Sequence, residues 1–119
     1  MPKLTPTQLM KSRYDAFVRK DSDYLNSTQV QQVLSYQDTF DNIKWLKLDV
    51  LDAYENIVEF KAYFSKDDVV DVLHEKSSFV LVDDSYLYDS GELFSTSVQR
   101  NESCPCGSGR KFKKCCMNN

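Results

Sequence analysis

Apolar residues at the start of the chain recur with the period of an α-helix. Thr5, Pro6 and Gln8 form a helix-start pattern, in which Thr5 caps the helix, Pro6 takes the first helical position and Gln8 completes a capping box. The apolar positions that follow lie on one helical stripe: Met10, Tyr14, Phe17 and Val18. The pattern therefore predicts an amphipathic first helix.

Two further helices are predicted after the first. Asp21 is a suitable cap for a short second helix that contains Tyr24 and Leu25. Ser27 or Thr28 is predicted to open a third helix. The buried side of this third helix is predicted to hold Val30, Val33, Leu34 and Phe40. The opening part of the chain is thus expected to be helical.

After Asn42 the period changes to two, which is typical of β-strands. The predicted strands are 44–50, 57–64, 69–82 and 86–88, with turns at 53–56, 66–68 and 83–84. One face of the first strand carries Leu46, Leu48 and Val50, and one face of the second carries Val58, Phe60, Ala62 and Phe64. Residues 69–74 are also compatible with a short helix.

Helices followed by strands predict an α+β domain, whose mostly antiparallel sheet curls over the helices and buries one face on them. The regular pattern stops at Asp89, and polar residues predominate up to Ser103. We therefore expect a body at 1–94, a polar linker at 95–103 and a small tail at 104–119. Because so short a tail cannot bury an apolar core, metal binding would supply its folding free energy.

All four cysteines of the chain lie in this tail, as Cys104, Cys106, Cys115 and Cys116. A turn at the glycines of residues 107–109, which permit positive φ, would bring the four sulfurs together. The predicted product is one structural Zn²⁺ with tetrahedral thiolate coordination and no open position for a substrate. The alternatives are an iron–sulfur cluster, a three-ligand site or disulfides, although a bridge between the adjacent Cys115 and Cys116 strains the backbone.

The net charge of −3 is unevenly divided along the chain. Residues 99–119 hold five basic side chains and one acidic side chain, so they carry +4 and the preceding residues carry −7. This division argues against nucleic-acid binding by the body and leaves the tail open to anionic partners. The sequence shows no secretory signal pattern and no stretch typical of a membrane span. It predicts a soluble, cytoplasmic protein and carries no signal for an oligomeric state.

The segment from Cys104 to Cys116 reads Cys-Pro-Cys-Gly-Ser-Gly-Arg-Lys-Phe-Lys-Lys-Cys-Cys. It resembles, at nearly every position, the SEC-C motif, a zinc-binding module named after the C-terminus of the SecA translocase motor. In the body, residues 9–18 read Leu-Met-Lys-Ser-Arg-Tyr-Asp-Ala-Phe-Val and are similar to the opening helix of the YchJ family of uncharacterised bacterial proteins. Further similar segments lie at 24–25, 58–60 and 73–80, so this resemblance covers residues 5–90.

The YchJ resemblance implies a nuclear-transport-factor-2-like fold, in which a curved sheet wraps helices into a cone with a pocket. The sequence departs from the family in two places. Relatives often carry a second SEC-C motif at the N-terminus, whereas residues 1–4 here lead straight into the first helix. Residues 28–30 read Thr-Gln-Val where relatives commonly have His-Pro-like residues, so a pocket function that uses such a histidine does not transfer.

The basic insert of the tail is the candidate partner-binding surface. It consists of Arg110, Lys111, Phe112, Lys113 and Lys114. An aromatic residue among cations suits either a protein or RNA, and the resemblance to the SecA tail implies a chaperone, a translocation-related protein or the ribosome as partner. The alternative is that the charges only balance the thiolates while Phe112 packs over the metal.

The candidate pocket residues of the body are Arg13, Glu59 and His74. His74 is the only histidine, and Glu59 is better placed to orient it than Glu75, whose side chain should point to the opposite face of a strand. Arg13 is a candidate for binding an anionic ligand, although a salt bridge or a snorkelling side chain explains it equally well. Residues predicted to lie in the core or at its rim are Trp45, Tyr63 and Tyr86.

Two functions remain open from the sequence. The favoured one is a non-enzymatic adaptor, in which the tail docks on a partner. The other is a small-molecule-binding or enzymatic cone domain that uses Arg13, Glu59 and His74.

Overall fold

The computed structural model describes residues 4–118. Residues 1–3, which the sequence predicts to lead straight into the first helix, and residue 119 lie outside the described part. The elements are α1 (Pro6–Arg19), α2 (Ser22–Ser27), α3 (Gln37–Asn42), β1 (Lys44–Tyr54), β2 (Ile57–Lys66), β3 (Val69–Val82) and β4 (Ser85–Phe94), followed by two short 3₁₀ turns, Phe112–Lys114 and Cys116–Asn118.

The first two helices begin at the predicted caps. The Thr5 hydroxyl accepts a hydrogen bond from the backbone N–H of Gln8, and the Gln8 side chain accepts one from the backbone N–H of Thr5, which forms the capping box. Asp21 caps α2 by accepting from the backbone N–H of Tyr24. The buried residues of α1 are Leu9, Met10, Arg13 and Ala16. Both predicted helix starts are confirmed.

The predicted start of the third helix is wrong, because α3 begins only at Gln37 and residues 28–36 are irregular. The backbone here is bonded to β4 instead. Tyr88 N–H donates to the Thr28 carbonyl at 2.8 Å, and Val30 N–H donates to the Tyr88 carbonyl at 2.9 Å. The residues exposed in this segment include Val30, Val33 and Leu34. Pairing with the sheet thus overrides the local helical pattern.

The strands form one antiparallel sheet in the order β1-β2-β3-β4. Two-residue turns join β2 to β3 and β3 to β4, and both turns have positive φ at each central position, as in type I′ hairpins. These central residues are Asp67, Asp68, Asp83 and Asp84. β3 is a strand along its whole length, so the helical alternative for residues 69–74 is wrong.

Two register shifts explain where the sequence pattern misleads. In β1, a shift between Trp45 and Lys47 lets Trp45 pack against the core with Leu48 and Val50, whereas the sequence pattern predicts Leu46 in that place. In β4, a shift leaves Asp89 as an extra residue, and the strand continues to Phe94 instead of ending at Tyr88. The predicted end of regular structure at Asp89 is therefore wrong, because a bulge interrupts the alternation without ending the strand.

The sheet has an inner face, which packs on α1, and an outer face, which carries the tail. The core is built from Leu9, Met10, Val58, Phe60, Ala62 and Phe79. On the outer face, Tyr63 and Val72 are also buried, with exposed fractions of 4% and 9%. The turn at 116–118 lies against β3. The predicted α+β fold with an antiparallel sheet is confirmed, and the tail packs back on the side of the sheet opposite α1.

Within residues 4–118, no helix combines the length and the hydropathy that a membrane crossing requires.

Candidate metal centre and inner cavity

The four cysteines converge at one point in the tail. The Sγ atoms of Cys104, Cys106, Cys115 and Cys116 all lie within 4.8 Å of one another. Cys106 Sγ is 3.5 Å from Cys115 Sγ, which is 4.0 Å from Cys116 Sγ. Four Zn–S bonds of about 2.3 Å in a tetrahedron require S–S separations of about 3.8 Å. All four cysteines are free thiols, and the cluster has the size and donor type of a tetrahedral metal site.

Backbone hydrogen bonds and two glycines shape the loop that gathers the sulfurs. Cys104 N–H donates to the Arg110 carbonyl at 2.8 Å, which closes a small antiparallel loop. Gly107 and Gly109 have φ values of 85° and 83°, a backbone region that side chains disfavour. A Cβ atom at either glycine would have open space around it, so the backbone conformation alone requires glycine there. The predicted turn at these glycines is confirmed.

The thiols of this cluster differ in acidity. Hydrogen bonds from the side chain and the backbone of Ser108 lower the pKa of the Cys106 thiol to about 6. A hydrogen bond with Cys104, together with burial, raises the pKa of the Cys116 thiol to about 12. Because the thiolate is the form that binds metal, the donors around Cys106 favour its role as a ligand.

The linker contacts the outer face of the sheet through polar groups. Burial, followed by the charge and the hydrogen bond of Glu102, raises the pKa of Tyr63 to about 12. The Thr96 hydroxyl lies 2.8 Å from His74 Nδ1. Within the body, Lys47 of β1 also contacts Tyr63, with its Nζ 4.8 Å from the centre of the ring. Tyr63 and His74 are therefore the points at which the body meets residues 96–102.

The predicted pocket residues lie on two sides of the sheet. His74 Nε2 donates to Glu59 Oε2 at 2.7 Å on the outer face, where the His74 ring also lies 4.8 Å from the Phe94 ring. Arg13 lines a cavity on the inner face. The structure thus brings Glu59 and His74 together but does not bring Arg13 to them. Neighbouring residues of a strand alternate between faces, and both Glu59 and His74 fall on the outward positions.

Arg13 is buried at the inner cavity, with 8% of its surface exposed. One guanidinium nitrogen donates to the Leu25 carbonyl at 2.8 Å and to the Thr28 hydroxyl at 2.7 Å, and the other donates to Gln29 Oε1 at 2.9 Å. The guanidinium carbon lies 5.0 Å from the centre of the Tyr88 ring. Burial lowers the pKa of Arg13. The side chain therefore ties α1 to the segment that replaces the predicted third helix.

Glu75 is the cavity residue that the sequence analysis did not select. It lines the inner cavity, and its Oε2 accepts hydrogen bonds from the Ser77 hydroxyl and, at 3.2 Å, from the Tyr88 hydroxyl. The signal was present in the sequence. Glu75 shares its strand face with Ser77 and Phe79, which are buried, so the alternation in β3 places an acid on the inward face.

Comparison with known proteins assigns both parts of the chain. Residues 5–91 match the family described as YchJ, middle NTF2-like domain, and residues 100–118 match the SEC-C motif. A UPF0225 protein of Enterobacter sp. (strain 638) is 38% identical over an alignment of 126 residues, and the alignment covers 93% of this chain and 80% of that protein. The chain belongs to the YchJ (UPF0225) family.

Other YchJ-family relatives are of similar identity. A UPF0225 protein of Shewanella sp. (strain MR-4) is 35% identical over 129 residues, covering 95% of this chain and 78% of its own length. A UPF0225 protein of Serratia proteamaculans (strain 568) is 36% identical over 126 residues, covering 94% and 80%. No solved structure matches the chain.

In this YchJ-family chain, the SEC-C match contains the whole cysteine cluster and the basic insert. Arg110, Lys111 and Lys114 are exposed, and Lys113 is half-buried. Phe112 is buried, with 8% of its surface exposed. Phe112 is therefore not part of the exposed surface of the insert, which its cations form.

Proposed function

We propose that this protein is a cytoplasmic zinc-binding adaptor, in which a metal-stabilised tail docks on an anionic partner. The observation that carries the proposal is the convergence of the four thiols. The chain segment between Cys106 and Cys115 carries a mostly exposed group of cations. In a reducing compartment, clustered cysteines are metal ligands more often than disulfides. A cysteine cluster that serves as a metal site therefore suits a cytoplasmic protein.

One structural Zn²⁺ is the ion that suits this donor set best. Thiolates in a tetrahedral arrangement select zinc or iron–sulfur centres over the hard cations. When bound, the ion would cross-link Cys104 and Cys106 to Cys115 and Cys116 and so hold the insert between them in one conformation. With four protein ligands, the ion has no position for a substrate or an activated water, which supports a structural role.

The partner surface is formed by the cations of the insert, Arg110, Lys111, Lys113 and Lys114. Phe112 contributes indirectly, because its buried ring supports the backbone that carries them. A positive surface on an otherwise acidic chain favours partners with acidic protein surfaces or with phosphate groups, such as ribosomal RNA. A chaperone or translocation-related protein is the partner that the SEC-C resemblance suggests.

A non-enzymatic role is supported by the fate of the candidate catalytic residues. Glu59 and His74 bond to each other on the outer face, and His74 Nδ1 also bonds to the Thr96 hydroxyl. Neither Glu59 nor His74 lines the inner cavity. A histidine whose two ring nitrogens are both engaged is well explained as a structural residue that positions the linker.

The test is affinity capture from bacterial lysate with the full chain, with and without RNase. The charge-reversal variant Lys111→Glu/Lys114→Glu should lose the partners of the wild type, and so should Cys115→Ser/Cys116→Ser. The matched control, Lys11→Glu/Lys66→Glu, reverses two exposed charges on the body and should keep them. Partners that survive RNase indicate a protein and partners that vanish indicate RNA. Retention of the same partners by both tail variants would refute the docking role.

A further inference from the structure

The inner cavity is a separate feature that the adaptor function does not use. It has a volume of about 310 Å³, at the lower end of the range of about 300–1,000 Å³ typical of small-molecule sites. Its walls are aromatic and apolar, and they include Tyr14, Phe17, Tyr36 and Trp45. Tyr14 contacts Trp45 edge to face, and Phe17 contacts Tyr36 in the same way. The rings of Phe17 and Trp45 are tilted to each other, with their centres 5.9 Å apart. The space suits a ligand of about one or two rings.

Glu75 is the acid that this cavity is built around. Ser77 and Tyr88 both donate to the same carboxylate oxygen, Oε2, so neutral hydroxyls fix the side chain. Gly91 on β4 leaves the room that the carboxylate occupies. A Cβ atom at Gly91 would lie 2.6 Å from Glu75 Oε2 and 2.8 Å from the Tyr88 hydroxyl, closer than real contacts allow. A carboxylate is thus held in place beneath an aromatic cavity.

No cation of the described part of the chain neutralises Glu75 through a salt bridge. Arg13 lines the same cavity, but its guanidinium donates to three neutral oxygens and its guanidinium carbon lies 5.0 Å from the centre of the Tyr88 ring. A second acid, Asp89, also lines the cavity and is exposed, as are Gln31 and Val33. With one cation and two acids, the lining carries a formal charge of −1.

We propose that the inner cavity binds a small aromatic or otherwise planar cation, an amine or an amidine, with Glu75 as its anchor. The charged end of such a ligand would pair with the Glu75 carboxylate, and its ring would lie among the aromatic side chains that line the walls. An aromatic wall favours a cation over an anion for a further reason, because the faces of Trp, Tyr and Phe rings carry partial negative charge. This site is independent of the zinc tail, which lies across the sheet.

The binding experiment uses two probes that share one ring and differ in charge. These are phenethylamine, a cation at neutral pH, and 3-phenylpropionate, an anion. Trp45 is the only tryptophan of the chain and lines the cavity, so its fluorescence in the full-length protein reports binding. We expect phenethylamine to shift Trp45 fluorescence with saturation in the millimolar range or below, and 3-phenylpropionate to bind at least about tenfold more weakly.

Three variants locate the site. Glu75→Gln keeps the shape and the acceptor oxygen but removes the charge, and it should weaken phenethylamine binding about tenfold or more. Gly91→Ala should weaken it by displacing the carboxylate. Glu59→Gln is the matched control, since it removes a carboxylate from the opposite face of the neighbouring strand, and it should bind like the wild type.

Three results would overturn the proposal. One is a lack of saturable response to phenethylamine at millimolar concentration. Another is a preference for the anionic probe, which would assign the site to Arg13 instead. The last is that Glu75→Gln and Glu59→Gln weaken phenethylamine binding equally. Circular dichroism of each variant ensures that weakening is scored only on folded protein, and Glu75→Gln decides the matter if Gly91→Ala does not fold.

Discussion

The body and the tail of this protein are stabilised in different ways. In the body, side chains from α1 and all four strands form one continuous core, of which Phe79 is 1% exposed and Val58 is 0% exposed. In the described part of the tail, the buried apolar side chains are those of Cys104, Pro105 and Phe112. Burial of one aromatic ring cannot offset the conformational entropy of ordering the tail. The comparison indicates that the body has a core of its own, whereas the tail lacks one and would gain its stabilisation from the proposed metal.

The largest expected effect comes from removing that cross-link. In Cys115→Ser/Cys116→Ser, the tail should lose its metal and with it a binding free energy of about 10–16 kcal/mol, typical of structural zinc sites. Hydrogen exchange followed by mass spectrometry should show residues 100–118 becoming unprotected while β2 and β3 keep their protection. Ser97→Ala, an exposed change in the linker, serves as the control. Equal protection of the tail in the double variant and the wild type would show that the tail folds without metal.

Truncation of the body core should have the complementary effect. Phe79→Ala removes a ring that is 1% exposed, and we expect it to lower the free energy of unfolding by about 3–5 kcal/mol. Phe94→Ala removes a ring that is 37% exposed at the end of β4, and it should cost less than about 1 kcal/mol. Urea unfolding monitored by Trp45 fluorescence measures both. Similar costs for the two variants would mean that the inner face is not the core that stabilises the body.

The buried guanidinium of Arg13 is expected to stabilise the body through its hydrogen bonds. In Arg13→Met, the acceptors of Leu25, Thr28 and Gln29 lose their donors, which should cost about 1–3 kcal/mol. Arg19→Met is the matched control, because the salt bridge of Arg19 with Asp15 joins side chains that are 53% and 65% exposed and is worth less than about 1 kcal/mol. The same urea titration compares them. If Arg13→Met leaves the free energy of unfolding unchanged, Arg13 does not hold residues 28–30 against the sheet.

The smallest expected effect is the alkaline pH dependence of the contact between the body and the linker, which Tyr63 makes with Glu102. The pKa of Tyr63 is raised from 10.0 to about 12, so the folded state favours the neutral phenol. The contribution of Tyr63 to the free energy of unfolding is therefore fully present below about pH 10, and it is lost as the pH rises towards about 12. The stability of Tyr63→Phe should fall less steeply across this interval. Parallel curves for the variant and the wild type would show that Tyr63 does not carry this dependence.

Much of the secondary structure follows from local chemistry. The caps at Thr5 and Asp21 and the period-two alternation in β2 are visible in the sequence, because each depends on residues within a few positions. The bounds of β3 are visible as well, although the sequence leaves a helix open for residues 69–74. The cysteine cluster was predictable for the same reason, since its ligands lie close together along the chain and its glycines permit the turn.

What the sequence did not predict depends on long-range pairing. Residues 28–30 are held by Tyr88, far along the chain, so their helical pattern was misleading. The bulge at Asp89 hides the last part of β4. Glu75 belongs to no motif that marks it as a cavity residue, although the alternation in β3 already implies its position on the inward face.

The metal content of the freshly purified protein tests the proposed adaptor most directly. Elemental analysis under reducing conditions should find about one zinc per chain in the wild type, as four thiolate ligands predict. Cys115→Ser/Cys116→Ser should retain little or none. Wild-type protein that contains no metal, or in which a mild thiol reagent labels the cysteines at once, would contradict a zinc-stabilised tail and the docking function that rests on it.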